Sequence, residues 1–116
     1  MIPLVVWISL LLPPCTITGT PGPDGIIGTE RRDVICAGAG NDIIDGAGGN
    51  DVIIAGAGHD RVDGGYGRDT IYLGPGNDTA LTRDRMADVV YGGPGNDVVV
   101  KDAWDKLFTV ERIGNA

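Results

Sequence analysis

Aspartate recurs in this chain at one spacing, and the chemistry has to be sought there. Asp24, Asp33, Asp42, Asp51, Asp60, Asp69 and Asp78 stand nine residues apart, and Asp88 and Asp97 resume the series after one inserted residue. At the frequency of Asp in the chain, six further hits at a fixed spacing arise by chance roughly a few times in a million, so the period belongs to the molecule. Asp is short, suits turns and presents hard oxygen ligands close to the backbone. A ladder of such groups suits a series of hard cations, whereas a glycosidase uses one isolated carboxylate pair. Charge agrees: 16 acidic residues against 9 basic give a net charge of −7. That disfavours a polyanion such as nucleic acid as partner and favours bound cations.

The elements that position the aspartates follow from the same period. Written from Gly19, the rows read GTPGPDGII, GTERRDVIC, AGAGNDIID, GAGGNDVII, AGAGHDRVD, GGYGRDTIY and LGPGNDTAL; ADVVY and GGPGNDVVV follow the insertion. Asp holds the sixth column. The eighth holds Ile26, Ile35, Ile44, Ile53, Val62, Ile71, Ala80, Val90 and Val99, with Ile17 one row earlier and Phe108 one row later. Columns seven to nine alternate around that apolar position, as a short strand does. Columns one to six are rich in Gly and Asn, which make tight turns, and such glycine density leaves no helix. Each row is therefore expected to be a turn and a three-residue strand. Two rows complete one coil, so rows eighteen apart stack into two parallel sheets around an Ile/Val core.

These rows resemble the repeats-in-toxin (RTX) nonapeptide, G-G-x-G-x-D-x-U-x, from Gly19 to Val100. The resemblance implies an all-β fold, a right-handed parallel β-roll, with Ca2+ held between stacked loops by sixth-column Asp and turn carbonyls. By that resemblance the ligand role falls on Asp24, Asp42, Asp51, Asp60, Asp69, Asp78 and Asp97, and on the turn residues Gly40, Gly49, Gly58, Gly67 and Gly76. The pairs Asp42/Asp60, Asp60/Asp78 and Asp51/Asp69 have fourth-column glycine on both sides and rank first. Asp33 and Asp88 rank lower, because Arg31 and Arg32 depart from the pattern in one row and Met86 replaces the fourth-column glycine in the other. About three to five ions are implied. Asp45 and Asp63 fall in the outward ninth column and are expected to be solvated.

Other chemistry finds little support. His59, the only histidine, occupies a turn position that Asn and Arg also fill, and no nucleophile is placed for it. The glycine pattern recurs with no helix to follow, unlike a dinucleotide fingerprint. No catalytic residue is assigned. Cys15 falls in the sixth column and Cys36 in the ninth, one coil apart. Three strand residues span about 10 Å, beyond disulfide reach. Secreted bacterial proteins of this repeat type nevertheless look similar in carrying such a pair, so both outcomes stay open.

The expected organisation has three parts. Residues 1–14 open with MIPLVVWISLLL, an apolar run too short to span a membrane and similar to the core of a secretory signal, with a buried segment as the alternative. Residues 15–100 form the roll. Residues 101–116 carry Trp104, Leu107, Phe108, Val110 and Ile113 and are expected to fold over the last coil as a cap. Outward positions Val34, Val52, Ile54, Tyr72 and Tyr91 make one sheet face nearly free of charge, a candidate surface for a protein partner or a second copy. The reading is a secreted or cell-surface calcium-binding protein in which Ca2+ drives folding. The alternative is a calcium-dependent folding or secretion module belonging to a larger exported enzyme or toxin. An ice-binding solenoid would need a flat outward Thr array that these columns lack.

Overall fold

The computed structural model describes residues 14–82 and 84–108, together with the backbone of 112–113. Most of the expected signal segment and the end of the expected cap lie outside these residues. Twelve strands follow one another: β1 Ile17–Thr18, β2 Gly25–Ile27, β3 Val34–Cys36, β4 Ile43–Asp45, β5 Val52–Ile54, β6 Arg61–Asp63, β7 Thr70–Tyr72, β8 Thr79–Thr82, β9 Val89–Tyr91, β10 Val98–Lys101, β11 Lys106–Phe108 and β12 Arg112–Ile113. The odd-numbered strands form one six-stranded sheet in the order β1-β3-β5-β7-β9-β11, and the even-numbered strands form the other in the order β12-β10-β8-β6-β4-β2. All pairings are parallel, and there is no helix among the described residues. The all-β parallel roll predicted from the repeat is the fold observed.

Register is set by the side chains. Ile35 pairs with Ile53, and Ile53 with Ile71, each eighteen residues on, so every eighth-column residue stacks on another of its kind. Ile35, Ile53, Val62, Ile71, Ala80, Val90 and Val99 are completely buried between the sheets. A one-residue slip would turn this column to solvent and place Asp or Arg inside, which fixes the register strongly. The core is also wider than the eighth column alone: first-column Ala37, Ala55 and Leu73 are fully buried beside it.

Three expectations need correction. Phe108 is not an eighth-column residue: Leu107 pairs with Val90, and Phe108 pairs with Tyr91 in the outward column. The turn before β11 is shorter than the others, which advances the register by one. Met86 does not stand in for the missing glycine, because the left-handed conformation falls on Arg85 (φ 69°). Val34 is only 5 % exposed, so it adds nothing to an outward docking surface.

Cys15 and Cys36 form a disulfide with their Cα atoms 5.8 Å apart. The ideal register that separated them breaks at Thr16. Elsewhere, the strand-opening N–H bonds to the carbonyl of an Asp one coil earlier, as Val52 does to Asp33. Val34 N–H instead donates to the Thr16 hydroxyl at 2.9 Å, while Thr16 N–H donates to the Val34 carbonyl at 2.8 Å. Thr16 sits in a bend, and the hydroxyl replaces the Cys15 carbonyl in the ladder. Cys15 is thereby released from its column to reach Cys36.

Candidate metal centre

Each row delivers its Asp to the same place, the last residue of a turn just before a strand. Stacking makes two ladders, one of Asp24, Asp42, Asp60, Asp78 and Asp97, the other of Asp33, Asp51, Asp69 and Asp88. Asp42, Asp51, Asp69 and Asp78 are 1 % exposed, and Asp88 and Asp97 are completely buried. Within each ladder one carboxylate oxygen is held by the row beneath: Asp42 N–H donates to Asp60 Oδ1 at 2.8 Å, Asp60 N–H to Asp78 Oδ1 at 2.7 Å, and Asp51 N–H to Asp69 Oδ1 at 2.9 Å. The bond survives the insertion, since Asp69 N–H reaches Asp88 Oδ1 at 2.7 Å.

The second oxygen is different. Oδ2 of Asp42, Asp51, Asp60, Asp69, Asp78 and Asp88 is buried and accepts no hydrogen bond. A buried, unsatisfied carboxylate oxygen is among the costliest groups a fold can contain. Burial accordingly raises the carboxyls of Asp51 and Asp60 to about 6, Asp78 and Asp88 to about 7, and Asp69 to about 8, with neighbouring carboxylates adding to the effect. Hard cations satisfy this arrangement, because calcium binds carboxylate and carbonyl oxygens together.

The glycines named from the sequence form the turns beside the aspartates. Gly40, Gly49, Gly58, Gly67 and Gly76 all hold positive φ, from 84° to 124°. Their turns stack so closely that a Cβ on Gly58 would collide with the Gly40 carbonyl, and one on Gly76 with the Gly58 carbonyl. Only glycine takes both the conformation and the approach. Among the described residues no three acidic, cysteine or histidine side chains converge into a metal cluster, so main-chain oxygens would have to complete any coordination sphere.

The rows expected to be weak diverge. Asp88 joins the ladder with the same free oxygen as the central rows. Its distorted turn is supported by side chains: Asp84 Oδ2 accepts Gly67 N–H at 2.9 Å, where Pro75 and Pro94 carbonyls serve the equivalent Gly58 and Gly76. Asp33, in contrast, accepts from Thr29 through both its backbone N–H (2.7 Å) and its hydroxyl (3.0 Å). Asp24 is held by Thr20 in the same way.

One ladder member escaped sequence reading. Asp105 extends the second ladder: its Oδ1 accepts Asp88 N–H at 2.9 Å, and its Oδ2 accepts the Thr82 hydroxyl at 2.7 Å. It stands seventeen residues from Asp88 in a turn without glycine, so neither period nor composition marked it. Asp45 and Asp63 are exposed, as expected of the outward column, and cap the N–H groups of Ala47 and Gly65. His59 belongs to a further ladder in the fifth column. Asn41 Oδ1 accepts His59 N–H, His59 Nδ1 accepts Asn77 N–H at 2.9 Å, and Asn77 Oδ1 accepts Asn96 N–H.

A parallel β-solenoid with glycine turns and inward-facing aspartate ladders defines the class, a metal-binding roll. The RTX calcium-binding nonapeptide repeat matches residues 18–53, 45–80 and 87–100, and the chain belongs to that family. Among solved structures it is similar to the solution structure of the AlgE6R3 subunit of the Azotobacter vinelandii mannuronan C5-epimerase, with 29 % identity and a TM-score of 0.57. The likeness covers 68 % of this chain and 51 % of that one, so this chain spans about half the length of its neighbour. No curated protein matches it.

Proposed function

We propose that this protein is a non-catalytic, secreted or cell-surface β-roll whose folding is driven by several calcium ions held between stacked turns. The observation that carries the reading is the series of buried aspartate oxygens without a donor, stacked among close-packed glycine turns. The ions fall between Asp42 and Asp60, Asp60 and Asp78, Asp51 and Asp69, and Asp69 and Asp88, with Gly40, Gly49, Gly58, Gly67 and Gly76 presenting carbonyl oxygens. Asp24 and Asp97 extend the first ladder at its ends. A folding module of a larger exported enzyme is the second reading, favoured by the epimerase subunit to which the chain is similar.

Calcium stoichiometry tests the assignment. Asp60 is shared by two pairs, so Asp60→Asn is expected to lower the number of ions bound by two in isothermal titration. An unchanged stoichiometry would show that the ladder does not hold the metal.

A partner surface is proposed on the sheet of odd-numbered strands, through Val52, Ile54, Tyr72 and Tyr91. Tyr72 and Tyr91 stack with ring centroids 4.9 Å apart, and Phe108 continues the stack at 5.0 Å. Such an ordered apolar strip suits association, with this protein itself or with another. Replacing Val52 by Lys and Ile54 by Thr is expected to abolish any calcium-dependent dimer in analytical ultracentrifugation. A wild type that sediments only as a monomer and captures no neighbour leaves this surface without a role.

A further inference from the structure

Three of the four ladder ends, Asp24, Asp33 and Asp105, are chemically unlike the middle of the ladders. In the interior, second-column residues take the left-handed conformation: Gly38, Ala47, Gly56, Gly65, Gly74 and Gly93 all have positive φ. That conformation turns the N–H of Ala47 and Gly65 outward onto Asp45 and Asp63, at 2.9 and 3.0 Å. Asp51 and Asp69, in the same two rows, are left with an unpaired Oδ2. The first two rows carry Thr in this column, and neither Thr20 nor Thr29 is left-handed. Their N–H groups therefore turn inward, to Asp24 Oδ2 and Asp33 Oδ2, both at 2.7 Å. Their hydroxyls reach the same carboxylates, at 2.8 Å for Asp24 and 3.0 Å for Asp33.

The far end repeats the solution with different parts. Thr82, only 1 % exposed, donates its hydroxyl to Asp105 Oδ2, and Asp102 N–H donates to the same oxygen at 3.0 Å. None of Asp24, Asp33 and Asp105 has a buried oxygen without a partner.

We propose that Thr20, Thr29 and Thr82 are positioning residues that take the place of the cation at three of the four ladder ends, so that Asp24, Asp33 and Asp105 close those ends without binding calcium. A carboxylate that already accepts two or three hydrogen bonds is stabilised as the anion and gains less from a metal. A ladder end has a neighbouring row on one side only, so an ion on its outer side would lack the second turn that shares its coordination. The hydroxyl caps solve that problem and restrict calcium to pairs whose oxygens are both unsatisfied. This inference rests on the calcium reading above and specifies which aspartates stand outside it.

The test compares isosteric variants of the full chain by calcium titration. Asp33→Asn is expected to bind as many ions as the wild type, while Asp60→Asn binds fewer. Thr29→Val should raise the calcium concentration needed for half-maximal folding several-fold, and Thr29→Ser should restore it. Asp24→Asn serves as a second end variant should Asp33→Asn fold poorly. Loss of an ion from Asp33→Asn or Asp24→Asn, with Asp60→Asn also losing ions, overturns the caps and leaves the calcium reading intact. An unmoved folding midpoint in Thr29→Val also overturns them. A wild type that binds no calcium takes down both readings.

Discussion

In excess chelator at neutral pH, the chain is expected to lose most of its far-ultraviolet β signal, and acidification below about pH 4 should restore part of it. The reason lies in the charged rungs. Without metal, the central aspartates must keep a buried carboxylate oxygen unsatisfied, or take up a proton. Burial holds Asp51 and Asp60 near 6, Asp78 and Asp88 near 7, and Asp69 near 8, against about 3.9 for an exposed Asp. A carboxyl raised in the folded state binds its proton more tightly there than when unfolded. Its contribution to stability is therefore complete below about pH 4 and is lost as pH rises through about 6 to 8. The glycine-rich turns add a large conformational entropy cost that nothing else offsets at neutral pH. Calcium is expected to reverse the balance by occupying the oxygens that protons occupy in acid, with affinity on the order of 0.1–1 mM as for extracellular modules. Protons and calcium then compete, so the calcium midpoint should rise as pH falls from 7.5 to 5.5. Circular dichroism in chelator across this range decides the matter. A complete β signal at pH 7.5 without calcium would sink the coupling of metal to folding.

Ending the chain at Val100 is expected to be nearly as severe. The apolar residues of this segment predict a cap, and its described residues take the form of further rungs. β11 and β12 add one strand to each sheet, covering β9 and β10. Their removal exposes Val90 and Val99, now completely buried, at about 1.5–3 kcal/mol each. It also strips Asp88 N–H and the Thr82 hydroxyl of Asp105, at about 1 kcal/mol per bond. A sum of several kcal/mol corresponds to more than a hundredfold in a folding equilibrium. The shortened chain should aggregate or need far more calcium to fold, as seen in light scattering beside the same calcium titration. An unaltered titration would remove the cap from the account.

Much of this architecture could be read before any coordinates, because a period of nine writes itself into two columns at once. The strand positions, the eighteen-residue register and the buried Ile/Val column all follow from Asp and Ile/Val keeping step. What escaped reading lies where the step breaks. Asp105 follows Asp88 after seventeen residues, and the lost residue moves Leu107 inward and Phe108 outward. The disulfide depends on one hydroxyl, Thr16, entering a main-chain ladder, which no spacing argument contains. The threonines of the first two rows were visible as letters. Their meaning required the sign of φ at the second column, which decides where an N–H points.

The fifth-column ladder has a consequence for how such a chain can change length. The side chains of Asn41, His59 and Asn77 each accept a hydrogen bond from the following coil, while those of the aspartates accept theirs from the preceding one. The central junctions between coils are thus clasped from both sides by groups eighteen residues apart, or nineteen across the insertion. Loss or duplication of a single nine-residue row would exchange the two edges and the two outer faces for everything downstream; one row gained between β6 and β7 would set Arg61 and Asp63 in the same sheet as the tyrosine stack. A gain or loss of eighteen keeps every clasp and every face in place. Heredity can therefore lengthen or shorten this molecule cheaply only in whole coils, and a lineage of such proteins should differ in size by steps of two rows.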